Sequence, residues 1–490
     1  MERLATFWIF YTSKNRLIYS PKLFFYRLQI MKKALLSIAF IIVFVFFTLA
    51  QTQTDASLSR VAMQDKTSRN TSGRLQTLTA GEHLYRADVY STNRHFPEAR
   101  EHWQKVLDNY PTDANMPKVL FGMARSFMWE RDYQRAVDWF NRLTKNFPNI
   151  KEGREGLAYK GASLVRLGKN VEAAKTYEQY TVMFPRGERI ESSYLNIIDA
   201  LREAKKYDEA NVWIDKTRAQ FVGKPIETNA LHARLRMEIF RQKYDRAVLA
   251  ADELLRLRNF ANSMASASEV LYLKAFALEK SGKRAEAITV YTSISDNLNS
   301  YYGGLATEKL NLLSPQMVRR ISQVSPNLTK EFPVVYRAEL IRYAKSRGID
   351  PRFILAIMKQ ESSFRADAKS SAAARGLLQL TFDTALKYNK QAGFPTLDAE
   401  DLYRPAVNIA VGSVYISELK NQFGGLYEAI AASYNGGEDN AARWLERSKP
   451  KEPAIFSAEV GFAESKNYVF KVMNNYRIYR ELYTENLVRK

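Results

Sequence analysis

One carboxylate stands out because it lies on an otherwise apolar helix face. Ile354, Ile357, Met358 and Glu361 have the spacing of residues along one side of an α-helix. Burial disfavours the ionised form of a carboxyl group and raises its pKa, and a general acid working near neutral pH needs a raised pKa. A glutamate near a helix end is more often solvated or capping, so this pattern alone only nominates Glu361 as an acid.

Other reactive side chains are scarce. The 490 residues include no cysteine, which excludes disulfides, thiolate metal sites and cysteine nucleophiles. The chain has four histidines, and all of them precede residue 334: His83, His95, His102 and His232. We therefore expect no metal and no cofactor at a site built around Glu361.

The sequence around Glu361 carries four motifs in order. Residues 361–385 read ESSFRADAKSSAAARGLLQLTFDTA, residues 433–437 read SYNGG, and residues 464–469 read ESKNYV. These motifs resemble those of the lysozyme-like lytic transglycosylases over residues 334–490. The segment YYGGLA at 301–306 and the helical repeats before it also resemble, in architecture, the soluble lytic murein transglycosylases of this family. Ala373, Leu378 and Gly436 depart from the usual Gly, Met and Ala, which are small or similarly sized changes.

This resemblance implies an enzyme that cleaves the β-1,4 bond between N-acetylmuramic acid and N-acetylglucosamine in peptidoglycan, a glycan-cleaving lyase. Glu361 would act first as general acid and then as base, and the muramoyl 6-hydroxyl would close a 1,6-anhydro ring. The other motif residues would bind the sugar: Ser362, Ser370, Gln379, Tyr434, Asn435, Glu464 and Tyr468. For Ser370 and Glu464, a local cap or a helix ion pair fits the residue type equally well.

Two alternatives to this activity stay open. A goose-type muramidase would use the same acid but add water. A non-catalytic envelope scaffold would bind glycan through the carboxyl-terminal part and partner proteins through the rest of the chain. A nucleic-acid binder is disfavoured, because the amino terminus predicts export.

A repeat fills the middle of the chain. Alanines recur every 37 residues, each shortly after an aromatic or hydrophobic residue; they are Ala99, Ala136, Ala173, Ala210 and Ala247. Aromatic residues followed by proline recur with the same period. A sixth copy around Ala287 follows 40 residues later. This pattern predicts paired helices that bury their apolar faces by stacking, and it resembles tetratricopeptide repeats. The repeats would serve as a scaffold or as a groove for envelope protein partners.

The amino terminus predicts export. Met31, Lys32 and Lys33 precede a 17-residue apolar run from Ala34 to Ala50, which is typical of a secretory signal. An uncleaved run would anchor the chain in the membrane, and a buried core helix is the third interpretation. Met31 is then the expected start. Without residues 1–50 the chain has 66 Lys and Arg against 51 Asp and Glu, or +15 instead of +21, so the basic balance belongs to the exported part.

These patterns predict an all-α chain, in which a tetratricopeptide-like superhelix precedes a lysozyme-like, mostly helical catalytic domain. The expected order is an extension with a signal or anchor (1–50), a disordered tether (51–79), the superhelix (80–310), a linker (311–333) and the catalytic domain (334–490). The expected location is the periplasm or cell envelope, with peptidoglycan glycan strands as the partner.

Overall fold

A computed structural model describes residues 57–316, 328–370 and 372–490. Within these ranges the chain is almost entirely α-helical, and β-type pairing is confined to isolated bridges such as Lys369–Arg375 and Tyr483–Arg489. The all-α prediction is confirmed. No helix in these ranges is long and apolar enough to cross a membrane. The predicted signal or anchor at 1–50 lies outside the described residues.

The chain forms two compact units, and the division between Val119 and Leu120 falls inside one helix. The first unit contains residues 57–68, which are helical (α1), and two further helices that form the first predicted pair. These are α2 (Ala80–Thr92) and α3 (Phe96–Asn109).

Helix α1 differs from the disordered tether expected at 51–79. Val61 is fully buried, and the Asp65 carboxylate is 3% exposed. Asp65 forms an ion pair with Arg86, accepts a hydrogen bond from the Tyr90 hydroxyl at 2.8 Å and lies 2.9 Å from His102 Nε2. These partners come from α2 and α3, so the order of this polar segment depends on contacts that its own composition does not reveal.

The paired helices continue through the second unit, where each helix from α5 to α14 packs against the next. Their bounds are α4 (Met116–Trp129), α5 (Tyr133–Asn146), α6 (Lys151–Arg166), α7 (Asn170–Met183), α8 (Ile190–Glu203), α9 (Tyr207–Gln220), α10 (Pro225–Phe240), α11 (Tyr244–Leu257), α12 (Ala267–Lys280), α13 (Arg284–Ser293) and α14 (Tyr301–Leu313).

The repeated alanine and aromatic residues lie at the positions in the helix pairs that the pattern predicts. Each repeated alanine, from Ala99 to Ala287, has no exposed surface and lies in the second helix of its pair. Helices α3, α5, α7 and α9 end at the periodic aromatic residues, which are Tyr110, Phe147, Phe184 and Phe221. A small side chain therefore lets the paired helices approach closely.

The carboxyl-terminal part of the second unit is a cluster of helices of 4 to 20 residues around a common core. Its α-helices are α15 (Leu328–Glu331), α16 (Arg337–Tyr343), α17 (Pro351–Glu361), α18 (Phe382–Tyr388), α19 (Pro405–Gln422), α20 (Tyr427–Gly436), α21 (Glu438–Glu446), α22 (Pro453–Glu459) and α23 (Ala463–Leu482). Short 3-10 helices occupy Lys345–Arg347 and Ala399–Tyr403.

This cluster packs on the repeats through buried polar groups as well as apolar ones. Ala454, Ile455 and Ala458 of α22 belong to the core of the last repeats. The Lys466 amine on α23 donates a hydrogen bond to the Glu269 carboxylate on α12 at 2.7 Å, and both side chains are buried. The repeats thus support the two helices that end the chain.

Candidate active site

Glu361 is the last residue of α17, and the local sequence explains where that helix begins. The Asp350 side chain accepts a hydrogen bond from the Arg352 amide, and Pro351 occupies the first helical position. Ile354 and Ile357, on the same face as Glu361, have no exposed surface. The helix therefore holds the glutamate at the edge of an apolar core.

The Glu361 carboxyl group has one hydrogen-bonding partner of special interest, the Tyr468 hydroxyl on α23. This hydroxyl donates to Glu361 Oε1 at 2.6 Å, and Tyr468 is 6% exposed. Burial raises the pKa of Glu361 to about 7, although the hydrogen bond from Tyr468 favours the ionised form and lowers it. At neutral pH a large fraction of this carboxyl group therefore carries a proton that it can donate.

The loop after Glu361 uses several predicted sugar-binding side chains for its own structure. The Ser362 hydroxyl is buried and donates to the Leu377 carbonyl oxygen at 2.8 Å. The Gln379 Nε2 group donates to the Ala368 and Gly376 carbonyl oxygens at 3.0 and 2.9 Å. These bonds close the loop on itself, and the Ser362 hydroxyl proton is directed at backbone carbonyl oxygens.

Ser370 occupies a turn of the same loop. Its hydroxyl accepts a hydrogen bond from the Ala374 amide at 3.1 Å, and its own amide donates to the Ala374 carbonyl oxygen at 2.9 Å. This is the local capping role that the residue type also allowed.

Asn408 on α19 is a site residue that sequence reasoning missed. It is fully buried; its Oδ1 accepts from the Leu378 amide at 2.9 Å, and its Nδ2 donates to the Arg375 and Leu402 carbonyl oxygens. A lone asparagine within the apolar run PAVNIAVGSVYI was the available signal. Asn408 fixes the backbone of the loop that follows Glu361.

The predicted third motif lies at the end of α20 and joins the loop to α23. The Tyr434 hydroxyl donates to the Leu378 carbonyl oxygen, and the exposed Asn435 accepts from the Ser465 hydroxyl at 2.7 Å. A Cβ on Gly436 would lie 2.7 Å from the Ser465 hydroxyl oxygen, so glycine allows the two helices to approach closely here. Glu464 is exposed in the first turn of α23.

The four motifs therefore converge through side-chain hydrogen bonds. Glu361 and Tyr468 join α17 to α23, Tyr434 joins α20 to the loop, and Asn435 joins α20 to α23. Among the described residues no group of three or more His, Cys, Asp or Glu side chains could hold a metal ion. Chemistry at this site would rest on Glu361 as a proton donor.

Comparison with known protein families assigns the carboxyl-terminal part. Residues 339–457 match the transglycosylase SLT domain. The chain therefore contains an SLT domain. Residues 84–149 match the tetratricopeptide repeat, which confirms the predicted combination of repeats and transglycosylase domain. The SLT match ends before α23, although that helix supplies Tyr468.

Curated relatives of the SLT domain are lytic murein transglycosylases. The soluble lytic murein transglycosylase of Salmonella typhimurium is 30% identical over 156 residues, which is 31% of this chain and 24% of that protein. The membrane-bound lytic murein transglycosylase C of Edwardsiella ictaluri is 31% identical over 166 residues, 29% of this chain and 46% of that protein. The match thus spans a quarter to a half of these relatives' length.

Among the solved structures that this chain matches is an inactive mutant of the lytic transglycosylase Slt of Pseudomonas aeruginosa. It is 17% identical, the match covers 88% of this chain and 85% of that chain, and the TM-score is 0.49.

Proposed function

We propose that this chain is a lytic murein transglycosylase that cleaves the β-1,4 bond between N-acetylmuramic acid and N-acetylglucosamine and leaves 1,6-anhydromuramoyl ends. The observation that carries the proposal is the Glu361 carboxyl group, whose pKa burial raises to about 7 beside the Tyr468 hydroxyl. The SLT domain and its curated relatives support the substrate class.

In the proposed reaction, protonated Glu361 donates its proton to the glycosidic oxygen as the bond to the muramoyl C1 breaks. The 6-hydroxyl of the same muramoyl residue attacks C1, and its proton passes to the Glu361 carboxylate. No water is consumed, and the acid regains its proton. Intramolecular attack profits from proximity, so a single carboxyl group suffices, and a pKa near 7 suits both of its roles.

The surroundings of Glu361 favour this route over a reaction with two carboxylates. A retaining or inverting glycosidase holds its two carboxyl groups within about 5–10 Å of each other. The hydrogen bond that the structure gives the Glu361 carboxyl group comes from the Tyr468 hydroxyl and not from a second carboxyl group. In this proposal Asn435, Gln379, Glu464 and Tyr434 remain candidates for contacts with the sugar, while Ser362 and Ser370 shape the loop.

We further propose that the enzyme works in the cell envelope. The apolar run from Ala34 to Ala50 is typical of an export signal, and the net charge of +15 on residues 51–490 suits contact with an anionic wall polymer. Binding to sacculi should then weaken with salt.

Mass analysis of digested sacculi tests the reaction. Glu481 is exposed on α23, so Glu481→Gln serves as the control variant. The wild type and this control should both release fragments with anhydro ends. Glu361→Gln should lower this release by about 10²–10⁴-fold, the usual contribution of a general acid. Hydrated muramic ends from the wild type would instead indicate a muramidase, and undiminished release by folded Glu361→Gln would refute the role of the acid.

A further inference from the structure

A cavity of about 380 Å³ lies within the second unit, where α8, α9 and α10 of the repeats meet α21 of the SLT domain. Its volume is in the range of small-molecule sites in proteins, about 300–1,000 Å³. The motif residues around Glu361 do not line it. An occupant would therefore be distinct from the glycan at Glu361.

Positive charge predominates in the wall of this cavity. Arg202, Lys205, Arg443 and Arg447 line it, against the carboxylates of Glu203 and Glu446. Glu446 is largely exposed and lies 3.5 Å from the Lys451 amine, so it compensates the cavity little.

Glu203 is shared between two of the arginines. Its Oε1 lies 2.8 Å from Arg443 Nη2 and 3.3 Å from Arg447 Nη1. Behind the wall, Glu459 pairs with Arg202 at 2.6 Å, Arg236 at 2.7 Å and Arg447 at 3.5 Å, and Asp199 pairs with Arg202 at 3.1 Å and Arg447 at 3.4 Å. Four guanidinium groups thus share the three carboxylates of Asp199, Glu203 and Glu459, and Lys205 adds a further positive charge.

Two of the cations keep exposed surface that an occupant can contact. The Arg443 side chain is 29% exposed and Lys205 is exposed, whereas Arg202 and Arg447 are only 6% and 7% exposed. An anion in the cavity would therefore accept charge-assisted hydrogen bonds chiefly from Arg443 and Lys205.

The rest of the wall is apolar. Tyr207, Met237 and Phe240 line the cavity beside the cations. An inorganic ion would leave this surface against water, whereas an aliphatic or aromatic group would bury it.

We propose that this cavity binds a small organic anion, a carboxylate attached to a nonpolar body. The carboxylate would accept hydrogen bonds from the cations that keep exposed surface, and the nonpolar body would lie against Tyr207, Met237 and Phe240. The site depends on the contact between the repeats and the SLT domain, because the repeats supply the apolar wall while the SLT domain supplies Arg443 and Arg447.

A matched pair of probes tests the chemistry on the full chain. Ligand-observed NMR at low salt should show saturable binding of 3-phenylpropanoate. Its uncharged analogue, 3-phenylpropanamide, should bind at least about tenfold more weakly, since losing one charge-assisted contact costs about 1.5–3 kcal/mol. Equal binding of the two probes, or no saturable binding of the acid, would overturn the proposal.

A matched pair of variants tests the place. Lys205 and Lys206 are neighbouring exposed lysines, but only Lys205 lines the cavity. Lys205→Gln should weaken binding of the acid severalfold, and Lys206→Gln should leave it unchanged. Phe240→Ala should weaken both probes. Equal effects of the two lysine variants would show that the acid binds a diffuse basic surface, which would refute the assignment.

Discussion

The hydrogen bond between Tyr468 and Glu361 allows a quantitative prediction for Tyr468→Phe. This change removes the hydroxyl that donates to Glu361 Oε1 and leaves the ring in place. Because that hydrogen bond lowers the pKa of Glu361 against the effect of burial, its loss should raise the pKa further above 7.

The magnitude follows from the geometry of the bond. A separation of 2.6 Å is typical of a hydroxyl bound to an ionised carboxylate. Such bonds contribute about 1.5–3 kcal/mol, and a bond to the neutral acid contributes about 1 kcal/mol. The difference of roughly 1–2 kcal/mol corresponds to about one pKa unit at 1.36 kcal/mol per unit.

The pH dependence of activity provides the assay. Glu361 must be protonated to act as an acid, so the wild-type rate at low substrate concentration should fall as the pH rises through about 7. In Tyr468→Phe this fall should move about one unit higher. The matched control is Tyr434→Phe, whose lost hydroxyl donates to the Leu378 carbonyl oxygen instead of Glu361, and its fall should coincide with that of the wild type.

A direct titration removes the dependence on activity. The carboxyl 13C resonance of Glu361, assigned by comparison with Glu361→Gln, should report the same shift in folded Tyr468→Phe. A titration at or below the wild-type pH would refute the reasoning that this hydroxyl stabilises the carboxylate.

Three predictions concern stability. Burial raises the pKa of Glu428 in the folded chain from 4.5 to about 7. The protonated side chain therefore stabilises the fold at low pH, and this contribution is lost as the pH rises through about 7. Between pH 5 and pH 9, the free energy of unfolding of Glu428→Gln, measured by thermal unfolding, should rise by about 2–3 kcal/mol relative to that of the wild type. Gly376→Ala should destabilise strongly in urea unfolding, because its φ is +76° and a Cβ would lie 2.2 Å from the Leu402 carbonyl oxygen. Lys466→Met should cost about 3–5 kcal/mol in the same assay, because buried Glu269 loses its lysine partner and keeps the His232 ring at 2.9 Å.

Each of these changes has a matched control. Glu464→Gln alters an exposed carboxyl group and should show no such dependence on pH. Gly393→Ala has a similar φ of +88° but open space around a Cβ, so it should cost only about 1–2 kcal/mol; equal costs at the two glycines would argue against the clash. Adding Glu269→Gln to Lys466→Met should restore part of the stability, and a further loss would contradict the unpaired-charge account.

The repeats were predictable from the sequence because their signals are local. The period of 37 residues places an alanine at every close helix contact and an aromatic residue at helix ends, and both features depend on neighbours within one repeat unit. Helix α1 was not predictable in this way. Its order depends on Asp65, whose partners lie 21 to 37 positions further along the chain.

The candidate site, like the fold, was predictable from the sequence only where its signals are local. The position of Glu361 on an apolar face identified a buried carboxyl group, but the residue types of Ser362 and Gln379 could not show that backbone carbonyl oxygens take up their donors. Sequence reasoning also gave no role to Glu269 or Glu428. Each looks like a solvated residue on its own helix, and only the packing of distant segments buries it.

The contact between the repeats and the SLT domain bears on how freely such a domain can be exchanged between proteins. A chain starting at residue 334 would lose the partners of Lys466, of Glu459 and of Glu428, leaving polar groups shaped for an absent neighbour. Recombination that moved this domain to a new scaffold would therefore have to carry Glu269, Arg202 and Tyr301 with it or replace the three SLT residues. The SLT domain and the repeats are therefore coupled through buried polar contacts, although each matches a separately recognisable family.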